Sequence, residues 1–267
     1  MLRLGWFSTG RGEGSRGLLR FVQARIQSGD LEATIEFVFS NREAGEAEGS
    51  DEFFRMVRGY GIPLVSLSSQ RYRREHGGGP FARHRLPFHR EVMRLIAGFD
   101  PHMCVFAGYM LFTGEEMPRR YMIINPHPAP PGGPAGTWQE VIWALIEQGA
   151  AESGVRVHVV TEVLDGGPVL AYCTFPIRGR RFAPLWRQVA GRPMEEIRSQ
   201  GEEQPLFRLI RQEGMKRERP LLLEAIRALA EGRVSIANGR VLDAEGLPLA
   251  GECLNEQVER YLESPEG

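Results

Sequence analysis

A chain of 267 residues that is 42% hydrophobic and 25% charged buries enough apolar surface for one large or two modest cores without disulfide or metal staples. Its 33 Lys plus Arg against 34 Asp plus Glu leave a formal net charge of -1, which excludes the one-signed field that draws many proteins to nucleic acid. No apolar run reaches the roughly 20 residues that cross a bilayer, no secretory h-region follows Met1, and Cys104, Cys173 and Cys253 are far apart and odd in number, as reduced thiols are. The expectation is a cytoplasmic protein that acts on small molecules, with no nucleic-acid or membrane partner.

Leu2 to Phe7 is short, apolar and partly aromatic, and runs into Ser8-Thr9-Gly10-Arg11-Gly12-Glu13-Gly14-Ser15-Arg16-Gly17 and then the amphipathic run Leu18 to Ile26. That pattern predicts strand, glycine loop, helix. Ile35 to Phe39 is a second strand, Glu52 to Arg58 a helix and Leu64 to Leu67 a third strand. Short apolar runs alternating with helical ones predict a mostly parallel α/β sheet, Rossmann-like in the first half. Ser68 to Arg85 holds five arginines and Gly77-Gly78-Gly79-Pro80, a flexible basic loop before a helix from Phe88 to Ala97.

Met103 to Ala107 is the next buried strand, Ile123 and Ile124 lead out of another, and Trp138 to Gln148 forms a helix. Val155 to Thr161 and Val169 to Phe175 are two β-rich runs joined by the turn Leu164-Asp165-Gly166-Gly167-Pro168. Residues 178 to 204 mix arginine, proline and carboxylates with few apolar positions and read as an insertion with a short helix. A helix from Phe207 to Ala230 and a hairpin from Ser235 to Leu242, turning at Asn238-Gly239, follow. The pattern divides into one domain over residues 1 to 250 and a peripheral tail from 251 to 267.

Gly12, Gly14 and Gly17 satisfy G-x-G-x-x-G between a strand and a helix, where glycines let backbone N–H groups approach a phosphate. A dinucleotide site also wants an acidic residue about 20 positions on. Here the second strand ends at Ser40-Asn41-Arg42, which suits only a 2′-phosphate. A mononucleotide or sugar-phosphate site, a plain tight turn and an NADP site all remain open.

Asn125 and His127 stand two residues apart at the end of a buried strand, in Ile123-Ile124-Asn125-Pro126-His127-Pro128. Strand ends are where open α/β sheets bind ligands. Asp165, in a glycine-rich turn, can bring a carboxylate to such a cleft. Each residue also has an ordinary reading: Asn125 as a loop cap, His127 as a core histidine, and Asp165 as a turn former before glycine.

Phe39-Ser40-Asn41, Ala107-Gly108-Tyr109-Met110, Asn125 to Pro128, and Val157-His158-Val159-Val160-Thr161 leading to Leu164-Asp165-Gly166-Gly167-Pro168-Val169 occur in this order. In them the chain, over residues 1 to about 245, resembles the folate-dependent formyltransferases, most closely the glycinamide ribonucleotide formyltransferases of purine synthesis. The resemblance implies a formyltransferase-type Rossmann-like fold and transfer of a formyl group from 10-formyltetrahydrofolate to an amine without a metal. It implies Asn125, His127 and Asp165 as the catalytic trio. Tyr109, Met110, Leu111 and Phe112, with the backbone of Val163 and Leu164 up to Asp165, would line the pteridine pocket, Met110 and Phe112 reading equally as ordinary core side chains, and Gly12, Glu13, Gly14 and Ser15 would face the substrate phosphate.

The chain departs from the family at Ala129-Pro130-Pro131-Gly132-Gly133-Pro134-Ala135-Gly136, where relatives continue the His-Pro pair with Ser-Leu-Leu-Pro and a lysine. Glu13 and Arg16 stand where the nearest relatives carry asparagines, so Glu13 is expected to turn away or pair with Arg11 or Arg16. Glu213 and Glu218 both compete for the carboxylate that the family sets near the ribose, and His158 reads as a structural strand histidine. The basic loop is either a solvated surface or a site for the substrate phosphate or the folate glutamate tail. Another amine acceptor, or water as in a formyltetrahydrofolate hydrolase, is the alternative, and an NADP oxidoreductase the outsider. A homodimer is compatible with the pattern, residues 178 to 204 being either a lid, an oligomer contact or an inert insertion.

Overall fold

The computed structural model describes residues 1 to 264; the last three residues of the expected tail lie outside them. The chain is mixed α/β, with a mostly parallel sheet flanked by helices, and it divides into two compact units. No described helix is long and apolar enough to cross a membrane.

The first unit holds residues 1 to 125, 159 to 167 and 227 to 233. Its elements are β1 (Leu2–Phe7), α1 (Glu13–Gln27), β2 (Ala33–Ser40), α2 (Glu48–Gly59), β3 (Leu64–Ser66), α3 (Ser69–Glu75), α4 (Arg85–Leu95), β4 (Met103–Phe106), α5 (Glu116–Arg120) and the start of β5 (Ile123–His127). The strands pair in parallel in the order β5-β4-β1-β2-β3. The chain lays down β1, β2 and β3 in one direction and then crosses to β4 on the other side of β1. The order therefore reverses at β1/β4, where loops diverge and open α/β sheets form their crevice.

One face of this sheet is aromatic. Phe7, Phe37 and Phe39, with Phe88 and Val92 of α4 and Ile96 at its C-cap, are fully buried together with Cys104, Met117 and Ile123. Each such ring contributes roughly 1.5–3 kcal/mol by leaving water. Residues 68 to 85, expected as a flexible loop, are ordered against this core. The Ser68 side chain caps α3 by accepting from Arg71 N, and Tyr72 and Phe81 pack edge-on against Phe88 at 5.3 and 5.4 Å. The arginines dominated the local composition, and two aromatic anchors overrode them.

The second unit holds residues 126 to 158, 168 to 226 and 234 to 264 of those described. It contains α6 (Trp138–Glu147), most of β6 (Glu152–Val159), β7 (Val169–Pro176), α7 (Ala183–Val189), α8 (Met194–Arg198), most of α9 (Pro205–Ala230), β8 (Val234–Ala237), β9 (Arg240–Asp243), β10 (Glu252–Cys253) and α10 (Asn255–Glu263). β7 runs antiparallel to β6 and parallel to β10. α6 opens with a capping box, Thr137 accepting from Glu140 N while the Glu140 carboxylate accepts from Thr137 N. The β8–β9 hairpin turns at Asn238 and Gly239, both at positive φ (50° and 70°), as its sequence predicts.

Two expectations change here. Residues 178 to 204 are not a surface insertion: Phe182, Trp186, Val189 and Ile197 are buried with Ile142, Ile146, Phe175 and Phe207 in one cluster, and Trp186 Nε1 donates to Ile177 O. The apolar positions are few, but these four are spent in the core, and Leu185 and Met194 pack against it. Beyond residue 251, Glu252–Cys253 joins the sheet and Leu254 and Val258 are fully buried, so this segment packs rather than trails.

Candidate active site

The C-terminal ends of β1, β4 and β5 lie side by side because these strands are parallel neighbours. From β1 the chain enters the glycine loop, tied to both flanks: Ser8 N donates to Phe39 O and Thr9 N to Gly108 O, each at 3.0 Å. α1 starts at Glu13, earlier than the sequence pattern suggests, so Gly14 and Ser15 lie in its first turn rather than in the loop. Gly12 is the N-cap in an extended conformation. It has no side chain to occupy the first-turn N–H groups, which point outward with the positive end of the helix dipole.

Glu13 would oppose an anion there, but its carboxylate is drawn aside. Oε1 pairs with Arg20 at 2.9 Å and Oε2 with Arg16 at 3.5 Å. Arg16 itself is bound to Arg11 O, Gly49 O and Glu52. The expected Arg16 partner is present, and Arg20 takes the place proposed for Arg11.

The segment after β4 is locked onto this loop. Gly108 has φ +73°, and a Cβ there would lie 2.6 Å from Ser15 Cβ; only glycine permits both the turn and the approach. Of the four residues expected at the pteridine, Tyr109 turns its side chain inward, where it is buried among Phe7, Phe39 and Phe106. Its hydroxyl meets His89 Nε2 at 3.0 Å, and His89 Nδ1 is 2.7 Å from Arg85 O. Because a carbonyl only accepts, Nδ1 carries the proton and the tyrosine donates to Nε2. Burial, aided by the Arg85 charge and opposed by that carbonyl bond, pushes His89 down to about 4.

Met110 is 64% exposed, Leu111 is partly buried on the core, and the Phe112 ring carries the Arg85 guanidinium 4.6 Å above it. In the turn after β6, Val163 and Leu164 are 60% and 55% exposed. Val163 N donates to Thr161 Oγ1, which donates to Val163 O. Met110, Val163 and Leu164 are thus exposed apolar side chains, of the chemistry that a flat heteroaromatic group such as a pteridine packs on.

Asn125 is half-buried near the end of β5, two residues after Ile123, whose carbonyl accepts from Val160 N at 2.8 Å. That bond ties Val160, five residues before Asp165, to β5. Asp165 is half-buried at φ +52°, a left-handed conformation that few residues other than Gly, Asn and Asp adopt and that clusters at functional turns. Gly167 follows because a Cβ there would lie 1.8 Å from Val159 O.

His127 ends β5, two residues beyond Asn125 and so on the same side of the strand. It is buried, with Nε2 2.9 Å from Pro134 O, and its ring meets His158 edge-on at 6.2 Å. His158 is buried in β6, in keeping with a structural strand residue. Glu213 is bound by Arg181, Lys216 and Arg217, and Glu218 by Arg211. The sequence reading passed over Arg156 and His89. A cation between two valines in a β-rich run was the available signal for Arg156; His89 looked like one more polar helix position.

A family model described as formyl transferase matches residues 13–180, more than half of the chain. With the fold above, this identifies the chain as a member of the formyl transferase family, the folate-dependent formyltransferases. Within it, the chain is similar to the phosphoribosylglycinamide formyltransferase of Escherichia coli strain K12, 25% identical over 252 residues that span 92% of this chain and 96% of that protein. Among solved structures it is similar to the phosphoribosylglycinamide formyltransferase of Coxiella burnetii (TM-score 0.66, 23% identity, 94% of this chain and 98% of the other). It is also similar to a formyltetrahydrofolate deformylase of Pseudomonas syringae pv. tomato (TM-score 0.64, 20% identity, 91% and 65%). The fold is the formyltransferase-type Rossmann-like fold.

Proposed function

We propose that this protein transfers a formyl group from 10-formyltetrahydrofolate to the amine of glycinamide ribonucleotide in purine biosynthesis, in the cytoplasm. The observation that carries the choice of acceptor is the entry to α1: a glycine N-cap, outward N–H groups, and a Glu13 carboxylate neutralised by Arg16 and Arg20. That arrangement suits the phosphate of a nucleotide-like amine, and through Gly108 it abuts the segment carrying Met110. The end-to-end similarity to the Escherichia coli protein supports the same reading.

The donor supplies a formyl carbon on a nitrogen. Attack by the acceptor amine gives a tetrahedral oxyanion, and its collapse breaks the old C–N bond while the proton lost by the amine ends on the departing nitrogen. In this reading the Asn125 side-chain N–H and the His127 imidazolium donate to the developing oxyanion. The Asp165 carboxylate favours the charged imidazole and relays the amine proton, directly or through water. Met110, Val163 and Leu164 cover the pteridine.

The deciding assay incubates the protein with 10-formyltetrahydrofolate and glycinamide ribonucleotide and reads both products by mass spectrometry. Formylated acceptor is expected. Free formate at the same rate with or without the acceptor would instead mean a deformylase, and formylation of other amines alone would overturn the purine assignment.

A further inference from the structure

Building on the formyl-transfer reading, we propose that Arg156 is a positioning residue for His127, acting through the proline- and glycine-rich loop of residues 129 to 134. His127 Nε2 lies 2.9 Å from Pro134 O. A carbonyl oxygen accepts and never donates, so Nε2 carries the ring proton, and Nδ1 is the nitrogen at which the ring gains or loses one. The loop thus sets both the tautomer and the tilt of the imidazole.

For that to hold, Pro134 O must itself be held, and the loop is secured at three points. Ala129 is fully buried against Val141 and Leu145 of α6. Gly133 N donates to Pro130 O at 2.9 Å, closing a turn. Arg156 Nη1 donates to the same Pro130 O at 2.8 Å and reaches Ala129 O at 3.4 Å. Arg156 is only 4% exposed, and its neighbours in the strand, Val155 and Val157, are fully buried. Burying a cation is costly unless hydrogen bonds offset it, and the bonds to Pro130 O and Ala129 O do part of that. The proline-rich loop presents fewer N–H groups of its own, and Arg156 bonds two of the carbonyls left over.

The test is made on the full chain labelled with ¹⁵N-histidine, whose six histidines are resolved in long-range proton–nitrogen spectra, His127 being assigned by the signal lost in His127→Gln. The expected wild-type pattern for neutral His127 is the Nε2–H tautomer. Arg156→Met should give mixed tautomers and lower kcat on the order of tenfold, as small misplacements of a reacting group do, with both KM values within about twofold. Arg156→Lys, which still donates to Pro130 O, should restore most of both. An Nδ1–H tautomer in the wild type, or an unchanged pattern in Arg156→Met, overturns the proposal.

Should Arg156→Met fail to fold, Gly133→Ala probes the same loop with Arg156 intact, since its methyl would sit 2.9 Å from Pro130 O. It should also mix the tautomers, and an unchanged His127 pattern there counts against the proposal equally. Spectra that show the clamp in a protein without formyl transfer would sink the activity reading. Transfer with His127 in the other tautomer would sink the clamp alone.

Discussion

Asn125 and His89 illustrate opposite uses of a polar side chain in the first unit. Asn125 stands half-buried at a strand end, where an amide N–H can meet a developing charge. Asn125→Ala should therefore lower kcat by about 10²- to 10³-fold while folding and folate affinity change much less. Near-wild-type turnover in steady-state assays would remove it from the chemistry. His89 is a neutral spacer between Arg85 O and Tyr109, with its pKa pushed down to about 4 chiefly by burial. The unfolded chain binds a proton near pH 6.5 and the folded one only near 4, so the unfolded state holds more protons in between. The stabilisation is complete above pH 6.5 and is lost as pH falls towards 4. Urea unfolding should show roughly 2 to 3 kcal/mol less stability at pH 4.5 than at pH 7 from this site. The double substitution His89→Leu with Tyr109→Phe, which removes both partners of the bond together, should lose that part of the acid limb. An identical acid limb would mean that His89 is protonated in the fold.

At the scale of elements, the start of α1 and the segment after β4 act as one piece because Gly108 and Ser15 touch. Gly108→Ala adds a methyl 2.6 Å from Ser15 Cβ at φ +73°, so it should cost about 1–3 kcal/mol and lower Tm. An unchanged Tm would show that the contact yields without strain. The anion reading of α1 has its own test in the acceptor kinetics. Gly14→Val, in the first turn of the helix, should raise the acceptor KM strongly and leave the folate KM nearly unchanged. Glu13→Asn removes a negative charge and should preserve or improve acceptor use. Lost activity in Glu13→Asn together with indifference to Gly14→Val would mean that Glu13 recognises a cationic or polar acceptor group instead.

For the whole molecule, the observable is ligand-linked stability. A hydrolytically stable folate analogue at 100 times its Kd should add about 2.7 kcal/mol, a rise of roughly 5–10 °C in Tm for a chain of this size. The shift should appear in the absence of added divalent ions and shrink when Met110, 64% exposed beside the glycine loop, is replaced by Asp. A rise that requires a divalent ion, or one indifferent to Met110→Asp, would move the donor pocket elsewhere.

By itself the sequence determined the parallel α/β plan, because strand and helix periods are local and the runs from Leu2 to Phe7, Ile35 to Phe39 and Met103 to Ala107 carry them plainly. It also determined the Asn238-Gly239 hairpin, since left-handed turns admit few residues, and it pointed to Asn125, His127 and Asp165 as candidates through the company they keep. Tertiary structure alone decided that Tyr109 belongs to the core and that Phe182, Trp186 and Ile197 turn an arginine-rich stretch into packing. It also placed Arg156 against Pro130, 26 residues away in the chain. The reason is the same in each case: these roles rest on partners distant in sequence, and a burial or hydrogen bond made across such a distance leaves no periodicity in the local run of residues.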